Sequence, residues 1–326
     1  MTSADLRVGV VIIGRNEGAR LLDCFASLGD LVSQTIYVDS GSTDGSQAAA
    51  NSLGVQVIDL DQALPFTAAR ARNAGFKALL EGCPNLEYVQ FIDGDCTLHP
   101  QWIRAAHANL DQHPNIALVC GRRREKFPDR SIYNAMCDHE WDGPTGSILE
   151  CGGDFLVRAA CFSAVDGFFP SLIAGEEPEL CLRLREHGWQ IWRLPREMTL
   201  HDANIMHFGQ WWQRAVRAGH AYAEVSWIHA HSPQRIWHRN VLRALGWAAI
   251  APIALLGTLV SPFALTLLLA YPADVARQAV RRGISVSTNW RNAFFMTTSK
   301  LPEAQGILKY HLLRILGGRS KLIEYK

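Results

Sequence analysis

The cysteine spacings that mark a redox or zinc site are missing from this chain of 326 residues. Its eight cysteines form no CxxC pair, and no set of cysteines and histidines has zinc-ligand spacing. Scattered through apolar segments, they read as reduced and mostly buried thiols. Excess charge of one sign is missing too, with 32 Lys plus Arg against 31 Asp plus Glu. That balance excludes a general attraction to nucleic acid and leaves any anion site to be local. The beginning lacks a signal-peptide pattern, because Asp5 and Arg7 interrupt it and an apolar strand pattern follows directly. The expectation is a chain not carried across a membrane by its front end. Internal repeats and a low-complexity tail are absent, which excludes a solenoid or a disordered arm.

What is present in the first half is an alternation. Residues 8–13 form a continuous apolar run, as in a strand buried on both faces. Residues 19–28 have helical spacing, 34–38 read as a strand, 42–53 as a helix and 56–60 as a strand. A helix over 68–80 and an apolar strand over 88–92 follow. Such alternation predicts an α/β fold, a Rossmann-like, mainly parallel sheet flanked by helices. Ligands of these sheets sit at the carboxyl ends of the strands. The polar residues fall there: Asn16 and Glu17 after the first strand, Asp39 after the second, Asp93 and Asp95 after the fourth. Further on, 178–187 and 210–227 read as helices.

The strongest chemical signal is Phe91-Ile92-Asp93-Gly94-Asp95. Two carboxylates separated by a glycine that permits a sharp turn can face one point. Hard cations such as Mg²⁺ want oxygen ligands and share them with substrate phosphates. The bland alternative is a solvated turn. Asp39, ahead of the polar loop 40–46, is placed to accept from a base N–H or a ribose hydroxyl, while Ser42 and Asp44 read as helix caps. In Ala69-Arg70-Ala71-Arg72-Asn73, at least one arginine is expected at a phosphate, since guanidinium binds phosphate bidentately. Glu176 and Glu177 open a helix, either as ordinary acidic capping or as a base for a hydroxyl acceptor. Arg214 and Arg217 share a helix face suited to a pyrophosphate or to lipid phosphates. On spacing alone His201 is as well explained as a packed histidine as by ligation.

Taken together and in order, these pieces resemble family 2 glycosyltransferases of the GT-A fold. The matching segments are Ile12-Ile13-Gly14-Arg15-Asn16-Glu17, Val38 to Gly45, Arg72-Asn73-Ala74-Gly75, Asp93-Gly94-Asp95 and Gly175-Glu176-Glu177, within residues 6 to 225 or so. The resemblance implies a nucleotide-sugar donor held around Asn16, Glu17 and Asp39. It implies Mg²⁺ or Mn²⁺ at Asp93 and Asp95, completed by His201, and a catalytic base at Glu177 or its neighbour Glu176. This chain has Glu where the family typically has Asp. The family's usual outcome is inversion. Processive relatives carry Gln-x-x-Arg-Trp and several membrane spans; Gln210 to Arg214 and Gln213 to Arg217 are loose echoes, which favours transfer of single sugars. The C-terminal half, ending Lys321-Leu-Ile-Glu-Tyr-Lys326, is similar to bacterial exopolysaccharide-type transferases.

Residues 1–228 are accordingly expected to be the catalytic domain and 229–326 a helical, membrane-associated region. Its stretch 244–273 has no charged residue, long enough to cross a bilayer. Arg235, Arg239 and Arg243 precede it and Arg277, Arg281 and Arg282 follow, so a single crossing would place one basic flank outside. With Pro252 and Pro262 breaking the run, the expectation is a re-entrant hairpin or in-plane helices at the cytoplasmic face. A lipid-linked or saccharide acceptor, membrane lipid and no nucleic acid are the partners this implies. Two rival readings stay open: a sugar-phosphate nucleotidyltransferase, which should carry a glycine-rich, basic phosphate loop after the first strand where Gly14-Arg15-Asn16-Glu17 offers one glycine, and an inactive nucleotide-sugar-binding assembly subunit.

Overall fold

The computed structural model describes residues 7–318, and the segment 321–326 used in the exopolysaccharide-type resemblance lies outside them. The described chain divides into two compact units, at Met206 and His207. The division falls ahead of the helix at 208–228, so that helix groups with the second unit rather than with the expected catalytic domain.

In the first unit, β1 (Val8–Gly14), α1 (Ala19–Leu28), β2 (Thr35–Asp39), α2 (Ser46–Ser52), β3 (Gln56–Asp59), α3 (Ala68–Gly82) and β4 (Tyr88–Asp93) follow the alternation read from the sequence. These four strands pair in parallel, in the order β3-β2-β1-β4. The hydrophobic strand β1 is buried on both sides, as its unbroken apolar run requires. After them come β5 (Cys96–Leu98), α4 (Trp102–Gln112), β6 (Ile116–Glu125), α5 (Ile132–Glu140), β7 (Gly146–Ile148), β8 (Phe155–Arg158), α6 (Ala159–Ala164), α7 (Glu176–Glu186) and β9 (Gln190–His201).

Here the sheet becomes mixed. β8 enters antiparallel between β4 and β6, and β9 pairs parallel with β6 but antiparallel with β5 and β7. Among the described residues nine strands form one sheet. The parallel half matches the expected architecture. The antiparallel additions escape a periodicity argument because β5, β7 and β8 are only three or four residues long. A cluster of packed phenylalanines, with Phe91, Phe155, Phe162 and Phe168 all buried, holds β4, β8 and the segments after them together.

The second unit contains α8 (Phe208–Ile228), α9 (His238–Gly257), a 3₁₀ stretch Pro262–Leu269, α10 (Ala270–Arg282), α11 (Ser287–Thr298) and α12 (Lys300–Ile315). Its small core joins Ala223 of α8, Ala244 of α9 and Ala304, Ile307 and Tyr310 of α12. α8 and α12 meet through two glycines. A Cβ added at Gly219 would lie 1.9 Å from the Glu303 carbonyl oxygen, and one at Gly306 would lie 2.0 Å from that of Val216. Backbone cannot yield as a side-chain tip does, so Gly219→Ala should force the helices apart and cost about 3 kcal/mol, the upper end for overpacking. Thermal unfolding of the full chain measures this; an unchanged Tm would contradict such close contact.

Pro252 does not break the apolar run. It lies inside α9, which continues to Gly257, and the interruption falls at 258–261. α9 is, among the described residues, the one helix long and apolar enough to cross a membrane, and only 11% of its apolar window is buried. The connection beyond it leaves Leu259, Val260 and Phe263 exposed at 85%, 91% and 80%.

Candidate active site

The site lies where β4 ends, and a single guanidinium organises it. α3 is capped by Thr67, whose hydroxyl accepts from the Arg70 N–H at 3.1 Å. One turn later Arg72 is buried at 2% exposure. Its Nη2 donates to Asp93 Oδ1 at 2.8 Å, and its Nη1 to Glu177 Oε1 at 2.9 Å and Glu176 Oε1 at 3.2 Å. The acid pair opening α7 therefore faces the aspartate that ends β4, two segments about eighty residues apart in sequence sharing one fork of donors.

Arg123 of β6 completes the network from the other side. It donates to Asp93 Oδ2 at 2.9 Å, forms an ion pair with Asp154 at 3.0 Å and stacks over the Trp141 ring. Asp154 is fixed in turn by the Thr199 hydroxyl at 2.7 Å and accepts from the Asp93 N–H at 3.2 Å. On the adjacent turn, Asp95 Oδ2 lies 3.3 Å from His201 Nε2, and the Trp141 ring meets His201 edge-on.

The charges explain the titration of these groups. Burial favours the neutral form of Asp93, but Arg72 and Arg123 outweigh it and hold the carboxyl down at about 2. Glu177 moves the other way. Burial, then the like charge of Glu176, pushes its carboxyl up to about 7, against the pull of Arg72. Five carboxylates (Asp93, Asp95, Asp154, Glu176 and Glu177) thus meet two guanidiniums in one buried cluster. Asp95 and His201 are buried, with oxygen and nitrogen atoms directed at each other. Uncompensated negative charge and converging donors are what a divalent cation requires, so these residues fit the cation that the sequence implied.

Other expected residues hold the surrounding loops. Asp39 is fully buried. Its Oδ1 accepts from the Tyr37 hydroxyl at 2.8 Å, and its Oδ2 from the Gly41 and Ser42 N–H groups and from Gln47, at 2.9, 2.7 and 2.9 Å. In this arrangement it shapes the turn before α2. Asn16, with a left-handed φ of 56°, clasps that turn by accepting from the Thr43 N–H at 2.7 Å and donating its own N–H to Ser42 at 2.9 Å. Glu17 pairs with Arg20 at 2.7 Å. Arg70 donates to the carbonyls of Asp61, Leu64 and Pro65. Asn73 clips the Phe168 backbone through both amide atoms, at 2.8 and 2.9 Å. Both therefore brace loops. Gly94 is needed for close approach and not for a sharp turn: a Cβ there would lie 3.2 Å from Glu17 and from the Ile13 carbonyl. Arg214 and Arg217 are residues of α8 in the second unit.

Residues 9–158 match the family model described as "Glycosyl transferase family 2". The chain carries a family 2 glycosyltransferase domain. Its fold is that of the GT-A enzymes. A mannosyltransferase from Pyrobaculum calidifontis, solved with GDP-Man and Mn²⁺, is 16% identical and superposes with a TM-score of 0.63 over 93% of this chain and 87% of its own. TarS 1-349 from S. aureus is 14% identical, with a TM-score of 0.54 over 92% of this chain and 91% of that one. In this transferase Asp93, Asp95 and Asp154, the acid pair Glu176 and Glu177, and the bridging Arg72 stand in one cluster.

Arg123, Trp141, Gly153 and Asp154 were not legible as site residues. The run Arg122-Arg123-Arg124 was the available signal, since on a strand the middle residue faces away from its neighbours. Gly153 is the tightest point of the cluster. A Cβ there would sit 2.6 Å from Arg72 Nη2, 3.0 Å from Asp93 Oδ2 and 3.2 Å from Glu177 Oε1. These are side-chain tips, so the fold can yield, but only by moving Arg72 and with it the carboxylates it holds. Gly153→Ala should lower kcat by about tenfold to a hundredfold, as misplacement near 1 Å does, with Tm close to wild type. Steady-state assays paired with thermal unfolding would show it, and unchanged kcat would mean the spacing around Arg72 is not critical.

Proposed function

We propose that the transferase moves one sugar, with inversion, from a nucleoside-diphosphate sugar to a hydroxyl of a lipid-linked or other saccharide acceptor, in cell-surface polysaccharide synthesis. One observation carries this reading: the Arg72 guanidinium touches Asp93 on one side and Glu176 and Glu177 on the other. It brings the pair that would serve the leaving group within reach of the pair that would serve the acceptor.

Asp93, Asp95 and His201 would hold the Mg²⁺ or Mn²⁺. When bound, such a cation offsets negative charge on a departing diphosphate. The chain's own residues supply the rest. Glu177 takes the proton from the acceptor hydroxyl; its side chain keeps 14% exposure where that of Glu176 keeps 5%, so it is the one open to a substrate. A carboxyl near pH 7 is well poised to accept a proton and pass it on. Arg72 orients that carboxylate, and Arg123 keeps Asp93 charged. The turn built by Asn16, Asp39 and Ser42 forms the wall at the ends of β1 and β2 where a nucleotide of such sheets lies.

UDP is the favoured nucleotide from the sequence resemblance, and GDP deserves equal trial because the Pyrobaculum enzyme was solved with GDP-Man. The nucleotidyltransferase reading is disfavoured by a first loop that is not glycine-rich, with Gly14 and Gly18 around Arg15-Asn16-Glu17, and by an acid pair it would not use. The inactive-subunit reading is disfavoured by the intact cluster. The exposed apolar connection after α9, flanked by arginines, supports attachment to the cytoplasmic leaflet, with Leu259, Val260 and Phe263 entering the interface.

The deciding experiment incubates the full chain with Mn²⁺ and a panel of UDP- and GDP-sugars, reading donor hydrolysis and transfer to a membrane-lipid extract. Nucleotide release from one donor is expected, lost on chelation and restored by added cation. Release of pyrophosphate from a nucleoside triphosphate and a sugar phosphate would favour the nucleotidyltransferase instead; turnover of no substrate would favour the inactive subunit.

A further inference from the structure

β6 carries three consecutive arginines, and only the middle one belongs to the catalytic cluster. Arg123 reaches Asp93 and Asp154, while Arg122 and Arg124 turn to the opposite face and share the Asp138 carboxylate. That face is hollow. Between Cys120 and Arg122 of β6 one residue stands against three of β9, residues 194–196, so β9 bulges outward there. Pro195 lies in the bulge, where its missing N–H costs the ladder nothing. Gly121 lets the bulge fold close, since a Cβ on it would lie 2.7 Å from the Arg196 carbonyl oxygen.

The bulge, the end of β6 and the loop 142–145 enclose a cleft of about 350 Å³, within the range of sites for small ligands. Four guanidiniums line it, from Arg122, Arg124, Arg193 and Arg196. Asp138, Asp142 and Glu197 offset them only in part. Arg196 is exposed and forms no ion pair among the described residues. Arg124 and Glu197 meet at 3.5 Å with side chains 48% and 46% exposed, a pairing that an incoming anion displaces at little cost. Arg193 donates from Nη2 to the Trp141 carbonyl, and its Nη1 lies beside Gly143, where a Cβ would come within 2.6 Å. The glycine keeps room around that nitrogen.

We infer that this cleft is a second anion site, one that takes the phosphate group of a small phosphorylated ligand. Guanidinium forks match phosphate oxygens in pairs, and four of them converge here on a surplus of positive charge. Among the described residues that line the cleft none is aromatic, so a nucleobase has nothing to stack on and the phosphate is the part recognised. The site is separate from the acids that serve the nucleotide sugar, because β6 stands between them. It is nonetheless joined to them through Trp141. Arg193 holds the carbonyl of that residue, and its ring lies against Arg123 and His201. A ligand in the cleft therefore sits directly behind a wall of the reaction centre.

The test is calorimetric titration of the full chain with inorganic pyrophosphate in EDTA, so that no cation carries the ligand to Asp93 and Asp95. Binding at one site is expected, weakening as salt rises. Arg196→Ala and Arg124→Ala should each lower the affinity by about tenfold or more, the loss of a charge-assisted hydrogen bond. Both residues are exposed, so both variants should unfold at the wild-type temperature. Arg104→Ala removes the same charge from an exposed position of α4 and should change the affinity by less than about twofold. Sedimentation with phosphatidylglycerol vesicles separates the sources of phosphate. Equal sedimentation of wild type and Arg196→Ala assigns a soluble phosphate, and a loss confined to the two cleft variants assigns the lipid headgroup. Absence of pyrophosphate binding together with equal vesicle binding, or a loss of affinity no larger than that of Arg104→Ala, would overturn the site. None of these readings depends on turnover of a donor, so the cleft stands or falls apart from the transfer reaction.

Discussion

Glu177→Gln should abolish most of the transfer, by about a hundredfold to ten-thousandfold in kcat, while the protein stays folded. The amide keeps the size of the carboxylate and an oxygen that accepts from Arg72 Nη1, so the contact at 2.9 Å survives in form. What it loses is the ability to take a proton. Wild-type kcat should rise with pH through about 7 and then level, because burial and Glu176 hold the Glu177 carboxyl protonated below that point. The variant's residual rate should be flat across the same range. A pH profile of kcat on both proteins decides it; a variant with the wild-type limb would move the base to Glu176.

Stability should move in the opposite direction. A carboxyl whose folded pKa is raised, from 4.5 to about 7, binds more protons folded than unfolded between those values. Its favourable contribution is complete below pH 4.5 and lost as pH rises through about 7. The cluster already has more carboxylates than guanidiniums. Removing one charge at pH 8 should leave the cation-free protein at least as stable as wild type, so lost activity could not be ascribed to unfolding.

The sequence disclosed the parallel half of the sheet because its strands carry the signal themselves. The apolar run of β1 and the helical spacing of α1 are local, and the observed bounds of α1 coincide with the expected ones. The antiparallel half depends on pairings such as Phe91 with Phe155 and Cys96 with His201, far apart in the chain and set by tertiary packing. The same distinction runs through the site. Asp93, Asp95, Glu176 and Glu177 stand in recognisable motifs, whereas Asp154 and Arg123 gain their roles only when β9 and the end of α5 bring Thr199 and Trp141 beside them. Arg70 and Arg72 looked equivalent on the page. Two residues apart on a helix they point apart, so one reaches the acids and the other braces residues 61–65.

Arg72→Ala should be the most damaging single substitution for the fold of the first unit. The side chain is 3% exposed and compensates Asp93, Glu176 and Glu177 together. Truncation leaves three carboxylates in a buried cluster without their shared donor, and removing one partner of a buried ion pair costs about 3–5 kcal/mol. For a domain of this size that corresponds to a Tm lower by roughly 6–20 °C. Arg72→Lys separates charge from geometry. It keeps one positive charge but has no fork, so it cannot place one nitrogen on Asp93 and another on the acid pair. Tm should recover part of the way, and kcat should stay low because Glu177 is no longer oriented. If lysine restored both, the charge alone would suffice and the fork would be incidental. If alanine left Tm unchanged, the three carboxylates would not depend on Arg72, and the link between the metal-type acids and the base would lose its physical basis.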